Sequence, residues 1–194
     1  MSEEIRNRFI KTIEEITGQI KKISKIVNKD AVFDLIQLIA DLYKNENKVF
    51  VYGAGRSGFV GRCFAQRLMH LGIKSSFVSD AVTPQYTDKD LLILISGSGE
   101  TTSPVALAQK AKNIGGKVAL FTANPDSSIG KISDVIIEIK GKSKDVAMTE
   151  PSLAPYTSLF DISTLSVLDS IGGTLMFLLG VTEEDIDKRH ATVE

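Results

Sequence analysis

One cysteine, Cys63, stands among the 194 residues, so no disulfide framework can form and a reducing compartment, the cytoplasm, is expected. The chain has two histidines, His70 and His190, too far from each other and from Cys63 to read as a metal-ligand cluster. Neither a metal nor any other cofactor is expected. Excess charge of one sign is missing too: 23 Lys and Arg against 24 Asp and Glu leave a net charge of −1. That excludes the basic field with which proteins attract nucleic acid or an anionic membrane. The longest apolar stretches fall far below spanning length, so no transmembrane segment is expected. The opening Met1-Ser2-Glu3-Glu4 is acidic and polar, unlike a signal peptide. The P-loop pattern G-x-x-x-x-G-K-[ST] is absent. An anionic ligand would have to be held locally, by backbone N–H groups, hydroxyls and one or two cations.

What remains is ordinary globular composition, 43% hydrophobic and 24% charged, in a chain long enough for one domain with a sizeable core. Ile5, Phe9, Ile13, Ile16, Ile20, Ile23 and Ile26 recur at steps of three and four, a helical stripe over residues 3–27. The stripe is expected to serve a subunit interface rather than the core. A second helix is expected over residues 30–45, capped by Asn28 or Asp30. From residue 48 the pattern changes to short apolar runs separated by helical segments: 49–52, 76–78, 91–95, 118–121 and 135–137. That alternation predicts right-handed βαβ units and a parallel sheet covered by helices on both faces. Residues 138–157 read as a loop, residues 158–179 as a long helix and residues 182–188 as a short one. The expected plan is N-terminal helices over 1–46, an α/β core over 47–180 and a C-terminal helix and tail over 181–194.

Two strand-to-helix loops carry the functional signal. The first is Gly53-Ala54-Gly55-Arg56-Ser57-Gly58, whose glycines allow a tight turn and whose following helix offers unpaired N–H groups to an anion. Read literally it is G-x-G-x-x-G, the dinucleotide fingerprint, with Asp80 where a ribose-binding acid would belong. The second is Ser96-Gly97-Ser98-Gly99-Glu100-Thr101-Thr102, where hydroxyls alternate with glycines ahead of a helix. That spacing can turn hydroxyls and N–H groups onto one phosphate. A nucleotide fold has no use for this second loop. Both loops follow strands of one parallel sheet, so they converge on one crevice.

These segments resemble the sugar isomerase (SIS) domain family and, within it, the 6-phospho-3-hexuloisomerases. The resemblance rests on 53–58, on Phe64-Ala-Gln-Arg-Leu-Met-His-Leu-Gly72, on 96–101, on Asn124-Pro-Asp-Ser-Ser-Ile-Gly-Lys131 and on Arg189-His190-Ala191. It implies a three-layer αβα sandwich with a five-stranded parallel sheet, and a homo-oligomer, commonly a dimer-based tetramer. It implies metal-free isomerisation of D-arabino-hex-3-ulose 6-phosphate to D-fructose 6-phosphate in the ribulose monophosphate pathway of formaldehyde fixation. It places Ser96, Ser98 and Thr101, with Gly97, Gly99 and Glu100 of the same loop, at the phosphate, and Gly55, Arg56 and Ser57 at the sugar. The family pattern Pro-x-Gly-[Ser/Thr]-x-Phe-Glu falls here on Pro155-Tyr-Thr-Ser-Leu-Phe-Asp161, with Thr157 for glycine and Asp161 for the glutamate base. The shorter aspartate sets its carboxylate about 1 Å back, a displacement that can cost about 100-fold in rate.

Such an isomerisation needs a proton taken from one carbon and returned to the next, which one carboxylate can do through an enediol(ate). Asp161 is the candidate base, although Ser158-x-x-Asp161 also reads as a capping box. Glu100, in the phosphate loop, is expected to turn away toward the helix N-terminus. In related isomerases a histidine from a neighbouring subunit helps open or orient the sugar, which makes His190 the second catalytic candidate; His70 is expected to pack or to stabilise its helix end. Three other readings stand beside the enzyme: a non-catalytic sugar-phosphate-binding module, an isomerase of another sugar phosphate, and, from the G-x-G-x-x-G match, a dinucleotide-binding oxidoreductase, for which the second loop has no job.

Overall fold

A computed structural model of the chain describes residues 2–141 and 152–193. Its sheet is five-stranded and wholly parallel, in the order β2-β1-β3-β4-β5. The strands are β1 (Val49–Gly53), β2 (Ser75–Phe77), β3 (Leu91–Ile95), β4 (Lys117–Thr122) and β5 (Val135–Glu138). Every expected run is a strand, and β2 alone is displaced, by one residue. The residues 142–151 of the expected loop lie outside the described residues.

Period-two alternation divides the core in two. Val49, Val51, Leu91, Ile93, Ile95, Ala119 and Phe121 pack into one cluster with α1 (Glu3–Ile26), α2 (Lys29–Lys44), α3 (Arg56–His70) and, from the far end of the chain, α5 (Ser158–Leu179). Their neighbours Phe50, Leu92, Leu94, Val118 and Leu120 point the other way, onto Ala108 and Ala111 of α4 (Thr102–Ile114). The result is the expected αβα sandwich. A short α6 (Glu183–Asp187) follows, started by a capping box between Thr182 and Asp185. Asn28 caps α2, its Oδ1 accepting the Ala31 N–H at 3.2 Å.

Two expectations need correction. The stretch forming α5 is not short of spanning length: with 22 residues it alone, among the described residues, is long and apolar enough to cross a membrane by length and composition. Its apolar content has another use here, because Leu168, Ile171 and Leu175 are buried against the core cluster. The capping box at Ser158 does not form either. The N-cap is Thr157, Ser158 is already helical, and the Asp161 carboxylate is taken by tertiary partners. On α1 the stripe divides. Ile23 is buried, whereas Ile5, Phe9 and Ile13 are exposed with Ile10 beside them.

The chain enters the sheet at β1, crosses to β2 on one side, and then runs through β3, β4 and β5 on the other. This reversal lies between β1 and β3, where Gly53 pairs with Ile95. The loops leaving those two strands therefore stand side by side at the carboxyl edge, where open α/β sheets bind ligands.

Candidate active site

A crevice of ≈ 280 Å³ opens at this point, lined by Ala54, Arg56 and Ser57 after β1, by Ser96, Gly97, Ser98 and Thr101 after β3, and by Tyr156, Thr157 and Phe160 at the start of α5. Two loops far apart in sequence and the long helix thus meet in one place.

The β3 loop is shaped by where its carbonyls go. The Gly97 carbonyl accepts from Ala123 N–H at 3.0 Å and from the Thr122 hydroxyl at 3.1 Å, and the Ser98 carbonyl accepts from Asn124 Nδ2 at 3.3 Å. Trans peptides point N–H opposite to C=O, so the Ser98 N–H faces away from the β4 side. The N–H groups of the first turn of α4 follow, with the positive end of that helix. Ser96 and Ser98 also hold the loop itself: their hydroxyls accept the Gly99 and Glu100 N–H groups, each at 3.2 Å. Gly99 is obligatory. Its φ is +66°, and a Cβ there would lie 1.9 Å from Ser127 Oγ.

Glu100 does not line the crevice and does not turn to the helix N-terminus. Its carboxylate accepts the Ser128 N–H at 2.7 Å, and hydrogen bonding to Ser128 holds it below the usual carboxylate range. With Gly55 and Gly99 it shapes the loops rather than the lining. The Glu100 carboxylate is thereby kept off the place where an anion would sit.

Behind the wall of the crevice lies Asp161, 2% exposed. Three side chains donate to it: Ser57 Oγ to Oδ1 at 2.9 Å, and Arg56 Nε and Thr157 Oγ1 to Oδ2 at 3.1 and 2.8 Å. A carboxylate offers about four lone-pair directions, so roughly one is left for a ligand. Arg56 and Ser57 sit in the first turn of α3, which approaches β1 closely because Gly58 faces Gly53, where a Cβ would lie 2.6 Å from the Gly53 carbonyl oxygen. That approach brings them to Asp161 from more than a hundred positions away.

His190 is elsewhere in its own protomer. Its ring stacks on His70 at 4.2 Å between centroids, with its Nδ1 3.2 Å from the Ile186 carbonyl. His70 ends α3, whose first residues line the crevice, so the helix length of about 20 Å separates the two places. Burial, then the neighbouring His190 and Arg67, lowers the pKa of His70 below its ordinary 6.5. His70 therefore packs, as one expectation had it, buried against the His190 ring. Among the described residues no His, Cys, Asp and Glu group could hold a metal ion.

Sequence reasoning missed three features. Tyr156 lines the crevice and is half exposed. Thr157 both lines it and holds Asp161. Glu15 of α1 accepts from the Ser152 hydroxyl and from the N–H groups of Leu153 and Ala154 at 2.7–2.8 Å, tying the approach to that wall onto the N-terminal helix. Only the match of 155–161 to a family pattern hinted at the first two; nothing local signals the third.

Comparison with known proteins agrees with this geometry. The SIS domain model matches residues 42–162. A Bacillus subtilis (strain 168) protein named 3-hexulose-6-phosphate isomerase is 40% identical over 94% of this chain and 97% of its own. A crystal structure from Methanococcus jannaschii, for which a 3-hexulose-6-phosphate isomerase function was inferred, superposes with a TM-score of 0.80 at 35% identity, covering 94% of this chain and 98% of that one. An Escherichia coli protein named arabinose 5-phosphate isomerase is 31% identical over 92% of this chain, which spans 54% of that longer protein. A parallel sheet that reverses between two ligand-facing loops, in a chain matched along nearly its whole length by these relatives, places this protein in the SIS-domain family.

Proposed function

We propose that this chain is a sugar-phosphate isomerase that converts hex-3-ulose 6-phosphate to fructose 6-phosphate. The observation that carries the reading is a crevice lined by a hydroxyl- and N–H-rich loop and backed by a buried carboxylate, Asp161, which Arg56, Ser57 and Thr157 of the lining hold. Relatives named for that reaction, similar over nearly the full chain, set the choice of substrate. The phosphate sits against Ser96, Ser98 and Thr101, where the N-terminus of α4 favours negative charge.

The carbonyl must move from C3 to C2. Asp161 takes the proton from C2, and the electrons form the C2–C3 double bond of an enediolate with the charge on O3. A proton passes from O2 to O3, and the proton held by Asp161 returns to C3 as the carbonyl forms at C2. Arg56 and Ser57 supply charge and a donor for the developing oxyanion. The Arg56 side chain is largely exposed, so it is free to leave the carboxylate for the ligand. The reading places the protein in the cytoplasm as a homo-oligomer joined through the exposed stripe of α1, with His190 serving the crevice of a neighbouring subunit.

The test is turnover of hex-3-ulose 6-phosphate by wild type and by Asp161→Asn. A fall of about 100- to 10,000-fold with retained binding supports the base. Unchanged turnover removes Asp161 from the mechanism. A second reading, a sugar-phosphate-binding module without catalysis, draws on the burial of Asp161 and its three donors; it requires calorimetric binding with no turnover by wild type.

A further inference from the structure

Three non-glycine residues among those described have positive φ: Glu46, Ser79 and Thr157. Thr157 is the β-branched one, the type for which this region is a genuine outlier. It is also the N-cap of α5, at φ 63° and ψ −10°. An N-cap threonine ordinarily sits extended and turns its hydroxyl to accept an N–H of the first helical turn. Thr157 does neither: its side chain makes no cap bond, and its hydroxyl donates to Asp161 Oδ2 at 2.8 Å. The start of α5 thus carries both a strained backbone and an unfilled cap, at a residue that lines the crevice.

Strain retained beside a ligand site calls for a use. The other two donors to Asp161, Arg56 and Ser57, belong to α3 and line the crevice themselves, so a ligand competes for them. Thr157 lines the crevice as well, but it lies one turn from Asp161 at the start of the same helix, so its contact with the carboxylate does not depend on how α3 is placed. We propose that Thr157 is the positioning residue of this site, its left-handed backbone aiming the hydroxyl so that the Asp161 carboxylate keeps a fixed orientation toward the crevice. The inference rests on the reading of Asp161 as the base.

A purely structural threonine and a positioning threonine differ in how stability and turnover move together. Glycine relieves the backbone and removes the hydroxyl. Thr157→Gly is expected to raise the melting temperature by about 2–4 °C while lowering kcat about 10- to 100-fold on hex-3-ulose 6-phosphate, with KM little changed. Thr157→Ser keeps the hydroxyl and is expected to retain most of kcat. A glycine variant with wild-type kcat overturns the assignment. So does a serine variant as slow as glycine, or a glycine variant that is slower and also melts lower. Asp161→Asn, assayed alongside, separates the two failures. If it turns over normally, the base assignment falls and this inference with it. If it is inactive while Thr157→Gly is as fast as wild type, this inference alone falls.

Discussion

Arg56 Nε and Asp161 Oδ2 meet at 3.1 Å across 105 positions of sequence, and the two partners live in opposite environments. The Arg56 side chain is 61% exposed and that of Asp161 3%. A pair with one partner so open to water contributes under about 1 kcal/mol to folding. Its worth lies in placing an exposed cation between a buried carboxylate and the crevice. Arg56→Ala is therefore expected to shift the melting temperature by no more than about 4 °C and to cut kcat/KM on a sugar phosphate more than about 10-fold. Parallel thermal unfolding and steady-state kinetics check both halves.

Gly99 is the second test of the site. Alanine there meets a positive φ and, at once, the Ser127 side chain, whose own Cβ would lie only 2.4 Å away. That Cβ is fixed to the backbone and cannot swing aside. Gly99→Ala is expected to cost more than about 2 kcal/mol and to weaken phosphate-ester binding, seen as a lower melting temperature and a lost calorimetric signal.

The stacked histidines give a pH dependence whose sign follows from burial. His70 is held below its ordinary 6.5 when folded, by desolvation first and then by His190 and Arg67. Below 6.5 the unfolded chain binds a proton that the folded chain resists, so stability declines as pH falls from 6.5 toward the lower folded value. Carboxylates, titrating near about 4, contribute little in the upper part of that window. His70→Phe keeps an aromatic ring in the stack and is expected to flatten this decline. Urea midpoints measured above and below pH 6.5 decide it; an unchanged slope excludes His70 as the source.

The exposed half of the α1 stripe predicts association. Ile5, Phe9, Ile10 and Ile13 of one helix are 44–63% exposed, and clustered exposed apolar side chains mark interaction surfaces. Wild type is expected to sediment at micromolar concentration as a dimer or tetramer, and Phe9→Asp with Ile13→Asp as a monomer. A monomeric wild type removes the oligomer and, with it, any role for His190 at a neighbouring crevice.

How much of this was legible follows from what each feature depends on. The central strand was plain because a buried parallel strand is apolar on both faces, and Leu91–Ile95 has no polar position; the edge strand Ser75–Phe77, with two serines, was placed one residue off. The two loops were plain because glycine and serine at strand ends have few other uses. The capping box at Ser158 misled because a local pattern cannot register that Arg56 and Ser57 come to the same carboxylate through the sheet. Glu100 misled similarly, since Ser128 reaches it only once β4 is in place. The left-handed turn at Thr157 ran against propensity, and the His70–His190 stack depends on how the chain folds back after α5. The parts that escaped are tertiary, and most gather at the candidate site, where local rules yield to function.

The most direct measurement is a coupled assay. A separate synthase makes hex-3-ulose 6-phosphate from formaldehyde and ribulose 5-phosphate, this protein is added, and fructose 6-phosphate is followed. Rapid formation of fructose 6-phosphate by wild type, lost in Asp161→Asn, is the expected result. No fructose 6-phosphate from a wild-type protein that still binds the sugar phosphate by calorimetry would contradict the isomerase and leave a binding module or an isomerase of a different sugar.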